Sequence, residues 1–120
     1  MLNTIAQLYG EYWDGGDDDV SQVIGTSLEP RGMDLLFQHF SLTRCGAGHL
    51  VLDIGCRDGR YAIEITRRHG CRTVGIDPVP RNIELAGERI RQENMTYLVS
   101  AMEGSVEDLP FEDESIDHIW

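Results

Sequence analysis

The stretch Asp53-Ile54-Gly55-Cys56-Arg57-Asp58-Gly59 sets an acid and two glycines at the end of an apolar run. A strand that stops in a glycine turn and then feeds a helix is built to receive a ligand. The glycines remove side chains from the approach to the backbone, and the helix N-terminus offers amides and a partial positive charge. Dinucleotide sites ask for G-x-G-x-x-G. Counted from Gly55, that pattern needs glycine at 57 and 60, where this chain has Arg57 and Arg60. A second acid, Asp77, closes another apolar run 22 residues after Gly55. An acid in that place accepts hydrogen bonds from ribose hydroxyls; its other reading is a cap for the helix that begins near Pro80. A third group, Ser105-Val106-Glu107, follows Gly104 in an acidic loop that ends in Leu109-Pro110-Phe111.

These residues need elements to hold them. Leu50 to Ile54 is a short apolar run suited to a buried parallel strand. Arg60 to Arg68 reads as a crossover helix with Tyr61, Ile63 and Ile65 on its apolar side, and Gly70 ends it. Thr73 to Ile76 is a second strand stopping at Asp77-Pro78. Pro80 to Glu93 is a second helix, with Ile83, Leu85, Ala86 and Ile90 inward. Thr96 to Val99 reads as a third strand and Ile116 to Trp120 as a fourth. Strands alternating with helices imply βαβ crossovers and a parallel sheet. Ahead of them, apolar residues at helical spacing over 2–12 and again over 32–44, with Leu35, Leu36, Phe37 and Phe40, predict two helices. Between those helices lies an acidic, glycine-bearing loop, Trp13 to Asp19.

In this arrangement Asp53 to Gly59 resembles the D/E-x-G-x-G-x-G motif of class I S-adenosylmethionine-dependent methyltransferases, with Arg57 where the middle glycine usually stands. Gly104 to Asp117 is similar to the G-D-A-E-D-L-P-F…S-F-D segment of the small-molecule group that includes ubiquinone- and menaquinone-biosynthesis enzymes, with Ser105 in place of the acid. The resemblance covers roughly residues 49 to 120. It implies a Rossmann-like doubly wound α/β fold, of which the first four strands are present in the order 3-2-1-4. It also implies S-adenosyl-L-methionine as cofactor and a small-molecule methyl acceptor. Asp53, Gly55, Cys56 and Gly59 would form the turn against the methionine part. Asp77 would meet the ribose, and Pro78 would lie beside the adenine or ribose. Ser105, the Val106 amide and Glu107 would meet the adenine. Tyr9, Tyr12 and Trp13 would either fold over the cofactor as a lid or pack a helix onto the sheet. Residues 1–45 form the helical segment and 46–120 the cofactor-binding half. No catalytic residue is named, because the substrate pocket of this family is built after strand 4. The expectation is a truncated form of a longer protein whose open fourth-strand edge invites pairing, including homo-oligomers. The alternatives are a fragment that binds the cofactor without turnover and, disfavoured by Arg57 and Arg60, a nucleotide-dependent oxidoreductase.

Composition removes other classes. The chain has 120 residues, enough for one small domain, and no apolar run reaches the roughly 18 residues of a membrane span. Its formal net charge is -11, and its ten basic residues, all arginine, form no stripe that could track nucleic acid. Cys45, Cys56 and Cys71 are odd in number and lack C-x-x-C spacing, so neither a disulfide framework nor a zinc site is expected, and a reduced, cytoplasmic setting is. His39, His49, His69 and His118 show no mutual spacing that suggests a metal, and each is read as structural or surface.

Overall fold

A computed structural model describes residues 32–120. The helix expected over 2–12, the acidic loop and the aromatic residues Tyr9, Tyr12 and Trp13 lie outside that range. The described elements run α1 (Gly32–Ser41), β1 (Leu50–Ile54), α2 (Arg60–His69), β2 (Arg72–Asp77), α3 (Pro80–Gln92), β3 (Val99–Glu103) and β4 (His118–Ile119). The four strands form one sheet in the order β3-β2-β1-β4, parallel at every pairing. This is the Rossmann-like arrangement that the alternation of strands and helices predicts.

Local chemistry explains most boundaries. Gly70 ends α2 in the left-handed region at φ 69°, and its amide donates to the Thr66 carbonyl. Pro80 opens α3, where its missing N–H costs no helical bond. α1 stops at Ser41, short of the expected Arg44. The Ser41 hydroxyl bonds back to the Phe37 carbonyl, the Thr43 hydroxyl to that of Phe40, and Arg44 turns to φ 58°. Leu36, expected on the apolar side, is exposed, while Phe37 and Phe40 are buried.

The third strand is displaced from its expected place. Residues 95–98 form a turn, in which the Leu98 and Val99 amides both donate to the Met95 carbonyl. Met95 is buried and Tyr97 is 73% exposed, so apolar character here marks a turn rather than a strand. Pairing with β2 begins only at Val99, opposite Thr73, and runs to Glu103, opposite Asp77. The fourth strand is likewise shorter than the run 116–120, with only His118 and Ile119 laddered to Val51 and Leu52.

Two apolar clusters hold the layers together. Phe37 and Phe40 from α1 meet Val51 and Ile65, with Tyr61 and Trp120 packed against them. Ala62 and Ile63 from α2 meet Ile90, Met95 and Val99. Trp120 joins backbone and core. Its amide donates to Leu52, its carbonyl accepts from Ile54, and its ring stacks on Phe37 at 4.9 Å and meets Phe40 edge-on at 5.4 Å. Truncating this ring in Trp120→Ala is expected to lower stability by about 2–4 kcal/mol, as large-to-small core changes do. A urea midpoint unchanged from wild type would show that the ring is dispensable. Among the described residues no helix is long and apolar enough to cross a membrane.

Candidate cofactor site

The residues singled out by sequence converge at the C-terminal ends of β1, β2 and β3. Asp53 stands one residue before the end of β1 and is 2% exposed. Gly55 follows the strand at φ 74°, and a Cβ built on it would meet nothing within 4 Å, so its outer side is open. Gly59 caps α2 at φ 76°, where a Cβ would come within 3.2 Å of the Ala86 Cβ on α3. One glycine opens the turn to its surroundings and the other lets two helices close on each other.

The amides of this turn are committed to the protein. Those of Gly55 and Cys56 both donate to the Ile76 carbonyl at 2.9 Å, and that of Gly59 donates to the Cys56 carbonyl. The Arg57 amide donates to Asp77 Oδ2 at 3.0 Å. At these four positions, ahead of the helix, the donors are bonded within the protein. The turn is a brace between β1 and β2, with the two acids Asp53 and Asp77 buried beside it. Arg57 itself adopts φ 50°, the left-handed conformation that a middle glycine would supply freely. Its side chain lines a polar cleft with Asp58, Asn82, Leu85 and Arg89, and neither Asp53 nor Gly55 lines that cleft. Arg57 thus takes the backbone conformation of the glycine it replaces while its side chain lines that cleft.

Asp77 is the most heavily used acid. Oδ2 takes the Arg57 amide, while Oδ1 takes the Val79 amide at 2.9 Å and the Asn82 side-chain amide at 3.0 Å. Asp77 does hold the approach to α3, but it also spans to the glycine turn, and of about four lone-pair sites on the carboxylate the three donors leave one, on Oδ2. Pro78 follows it, half-buried, between β2 and α3. Across the sheet, the Gly104 amide donates to the Asp77 carbonyl at 3.1 Å, which hangs the Ser105 loop from the same residue. In that loop Ser105 bridges to Asp108, and Val106 is 56% exposed. A hydrogen bond from the Ser105 hydroxyl holds the exposed Glu107 carboxyl below the usual range. Ser105 and Glu107 therefore act as a pair rather than as substitutes for each other.

Asp53 is the electrostatic anomaly. Its Oδ2 is buried and has no hydrogen-bond partner among the described residues. Burial, reinforced by the nearby charge of Asp77, raises its carboxyl from 3.8 to about 7. Asp58 behaves oppositely. Burial alone would raise it, but the bonds and charges of Arg60 and Arg89 prevail and lower it. Arg89 Nη2 reaches Asp58 Oδ2 at 2.9 Å and its Nε reaches the Asp58 carbonyl, which locks the start of α2 to α3.

Three supporting residues went unnoticed in the sequence. Gly75 lies in mid-strand, where a Cβ would fall 2.6 Å from the Cys56 Cβ and 2.7 Å from its Sγ. A glycine inside a strand signals such close approach. Asn82 and Arg89 carried no signal beyond helical polarity. A fourth observation concerns His49 and His118, which no spacing connects; the fold brings Nδ1 of one to 3.1 Å from Nε2 of the other.

A parallel sheet with a glycine turn after β1 and an acid closing β2 defines a nucleoside-cofactor fold of the class I methyltransferase kind. Residues 51–120 match the family described as methyltransferase domain, and the chain belongs to it. It is 36% identical over 134 residues to methyltransferase GfsG of Streptomyces halstedii, with all of this chain and 48% of that protein covered. It is 32% identical to erythromycin 3''-O-methyltransferase of Saccharopolyspora erythraea, covering 77% of this chain and 30% of that enzyme. The chain thus spans half or less of the length of these relatives. In fold it resembles geranyl diphosphate C-methyltransferase from Streptomyces coelicolor A3(2), solved with Mg2+, geranyl diphosphate and S-adenosyl-L-homocysteine. That likeness has a TM-score of 0.67 and 23% identity, and covers 72% of this chain and 32% of that one.

Proposed function

We propose that this chain forms the S-adenosylmethionine-binding part of an enzyme that methylates a small molecule. The observation that carries the reading is the charge of the turn. Two acids, Asp53 and Asp77, stand beside a glycine on which an added Cβ would meet nothing within 4 Å, and the amides of Gly55, Cys56, Arg57 and Gly59 are already bonded within the protein. Such a surface repels a pyrophosphate and suits a ligand with positive groups. S-adenosylmethionine carries a sulfonium and an ammonium; the Asp53 carboxylate, whose Oδ2 has no partner among the described residues, suits the ammonium, and the one lone-pair site left on Asp77 suits a ribose hydroxyl. Gly55 leaves room for the methionine chain, and the loop of Ser105, Val106 and Glu107 fits the adenine edge. Similarity to erythromycin 3''-O-methyltransferase supports a small-molecule acceptor. The three free cysteines suit a reduced, cytoplasmic setting.

When bound, the cofactor would supply an electrophilic methyl group, which would pass to the acceptor as the neutral thioether, S-adenosylhomocysteine, leaves. The part played by this chain is orientation. Asp53 and Asp77 fix the two polar ends of the cofactor, and the braced turn keeps the spacing between them, so that proximity rather than acid–base chemistry is contributed from here.

Calorimetric titrations with S-adenosylhomocysteine and, separately, NAD test the reading. Binding of the first and not the second is expected. NAD binding without S-adenosylhomocysteine binding would overturn it. Asp77→Ala is expected to weaken S-adenosylhomocysteine by about 1.5–3 kcal/mol, the range for a hydrogen bond to a charged group. Unchanged affinity in a variant with native circular dichroism would remove Asp77 from the site.

A further inference from the structure

At the opposite end of β1 from the glycine turn, three ligand-type side chains meet. The sulfur of Cys45 and one ring nitrogen each of His49 and His118 all lie within 4.8 Å of one another. We infer that Cys45, His49 and His118 form a binding site for a borderline-soft divalent cation of the zinc type, with a fourth position open to water. Two observations set this cluster apart from a chance encounter of polar groups: its geometry and its anchoring.

Zinc holds sulfur at about 2.3 Å and imidazole nitrogen at about 2.0–2.1 Å in a tetrahedron, which places neighbouring nitrogens roughly 3.3 Å apart and sulfur roughly 3.6 Å from each. Nδ1 of His49 and Nε2 of His118 stand 3.1 Å apart. The sulfur, within 4.8 Å of both nitrogens, has to close in by up to about 1.2 Å against the tetrahedral spacing. The Gly46 amide donates to His49 Nδ1 at 3.3 Å, which identifies that nitrogen as the unprotonated one; a metal would take over its lone pair from the amide and from the facing His118 ring.

The backbone beside each histidine is fixed. His118 ladders with Val51, and its neighbour Asp117 grips Leu50 twice, through its amide and through Oδ2 at 2.7 Å. The His49 carbonyl accepts from Arg72. Cys45 is buried beneath them, and its thiol is held protonated by burial and by the adjoining Cys71. One buried sulfur and two half-buried imidazoles carried on strand ends form a rigid, mixed S/N donor set. Such a set selects zinc-like ions over the hard cations that take oxygen. Binding breaks the Cys45 S–H bond, forms a metal–sulfur bond and releases the proton to solvent. The imidazoles enter neutral, and nothing is oxidised or reduced.

The site lies about 20 Å along β1 from Gly55, counting roughly 3.3 Å per strand residue. A metal here would clamp the loop before β1 to the start of β4 and act on stability rather than on methyl transfer.

Titration of the reduced, chelator-stripped chain with Co2+, followed by displacement with Zn2+, tests the inference. One equivalent of Co2+ should produce a thiolate-to-metal charge-transfer band, and Zn2+ should abolish the band and raise the melting temperature. Cys45→Ser should lose the band. His118→Gln and His49→Gln should each weaken Zn2+ by about 100-fold or more, since even outer-shell partners are worth roughly 10–100-fold. The absence of a band in the wild type would overturn the site, as would a band that survives in Cys45→Ser. If Cys45→Ser does not fold, the two histidine variants decide: wild-type Zn2+ affinity in both overturns the assignment.

Discussion

Gly75→Ala should cost this domain more stability than any other single methyl group added to the sheet. The added carbon would sit 2.6 Å from the Cys56 Cβ and 2.7 Å from its sulfur, both too close for any real contact. Neither neighbour can retreat easily. Cys56 is 3% exposed, and its amide is tied to Ile76, while Gly75 is held in register between Asp53 and Ala101. Overpacking of this kind typically costs about 1–3 kcal/mol and occasionally more, and here the upper end is expected. The test lies in the rescue. In the Gly75→Ala background, Cys56→Gly removes both clashing atoms and should restore much of the urea midpoint. Cys56→Ala removes only the sulfur and should restore little. Equal rescue by the two would show that the β-carbons are not in conflict, and a wild-type midpoint in Gly75→Ala alone would dismiss the close approach altogether. Because Cys56 lies in the glycine turn, loss of cofactor affinity should accompany loss of stability.

Asp53→Asn should make the ligand-free protein more stable at pH 8 than the wild type, and the gain should vanish toward pH 4. The direction follows from the raised carboxyl. Asp53 titrates near its ordinary 3.8 when unfolded and at about 7 when folded, chiefly through burial and then through the charge of Asp77. A raised acid contributes fully only below the unfolded value and loses that contribution as pH climbs through the folded one. At 1.36 kcal/mol per pKa unit, the loss between pH 4 and pH 8 is on the order of 4 kcal/mol. Asparagine cannot ionise, so it removes this slope. Chemical denaturation of both proteins from pH 4 to pH 8 would show it, and parallel curves would refute an ionising, uncompensated Asp53. A positively charged ligand group should reverse the balance. The affinity of the wild type for S-adenosylhomocysteine is expected to rise with pH through 7, while that of Asp53→Asn stays low and flat. The residue is therefore a cost to the free protein that only a cation offsets.

How far these features could be read in advance depends on whether a residue acts through its own chain neighbours. β1 was legible to the residue because a short run, apolar but for Asp53, is bounded by Gly48 on one side and Gly55 on the other. α2 and α3 were legible through Gly70 and Pro80, which act locally. β3 was not, because the same apolar residues that suggest a strand at 96–99 are used in a turn, and the strand proper, Val99 to Glu103, has the half-exposed pattern of a sheet edge. The site divides the same way. Asp53, Gly55, Gly59 and Asp77 announce themselves by type and spacing. That the turn amides are already bonded, that Arg57 takes a glycine conformation and that Gly75 makes room for Cys56 depend on pairing between strands 20 or so residues apart in sequence. His49 and His118 depend on a strand pairing across 69 residues, which no local pattern records.

Asp77 was described above as an acceptor of three donors whose carbonyl takes a fourth, from Gly104. Those donors come from the turn after β1, the loop after β2, the body of α3 and the loop after β3. The segments around the proposed pocket are therefore not separate fingers that a ligand must gather. They are spokes on one hub. A cofactor entering such a frame loses little freedom to chain ordering, so more of its contact energy remains as affinity. The same wiring means that damage at one spoke is felt at the others, and substitutions in the three loops should combine non-additively.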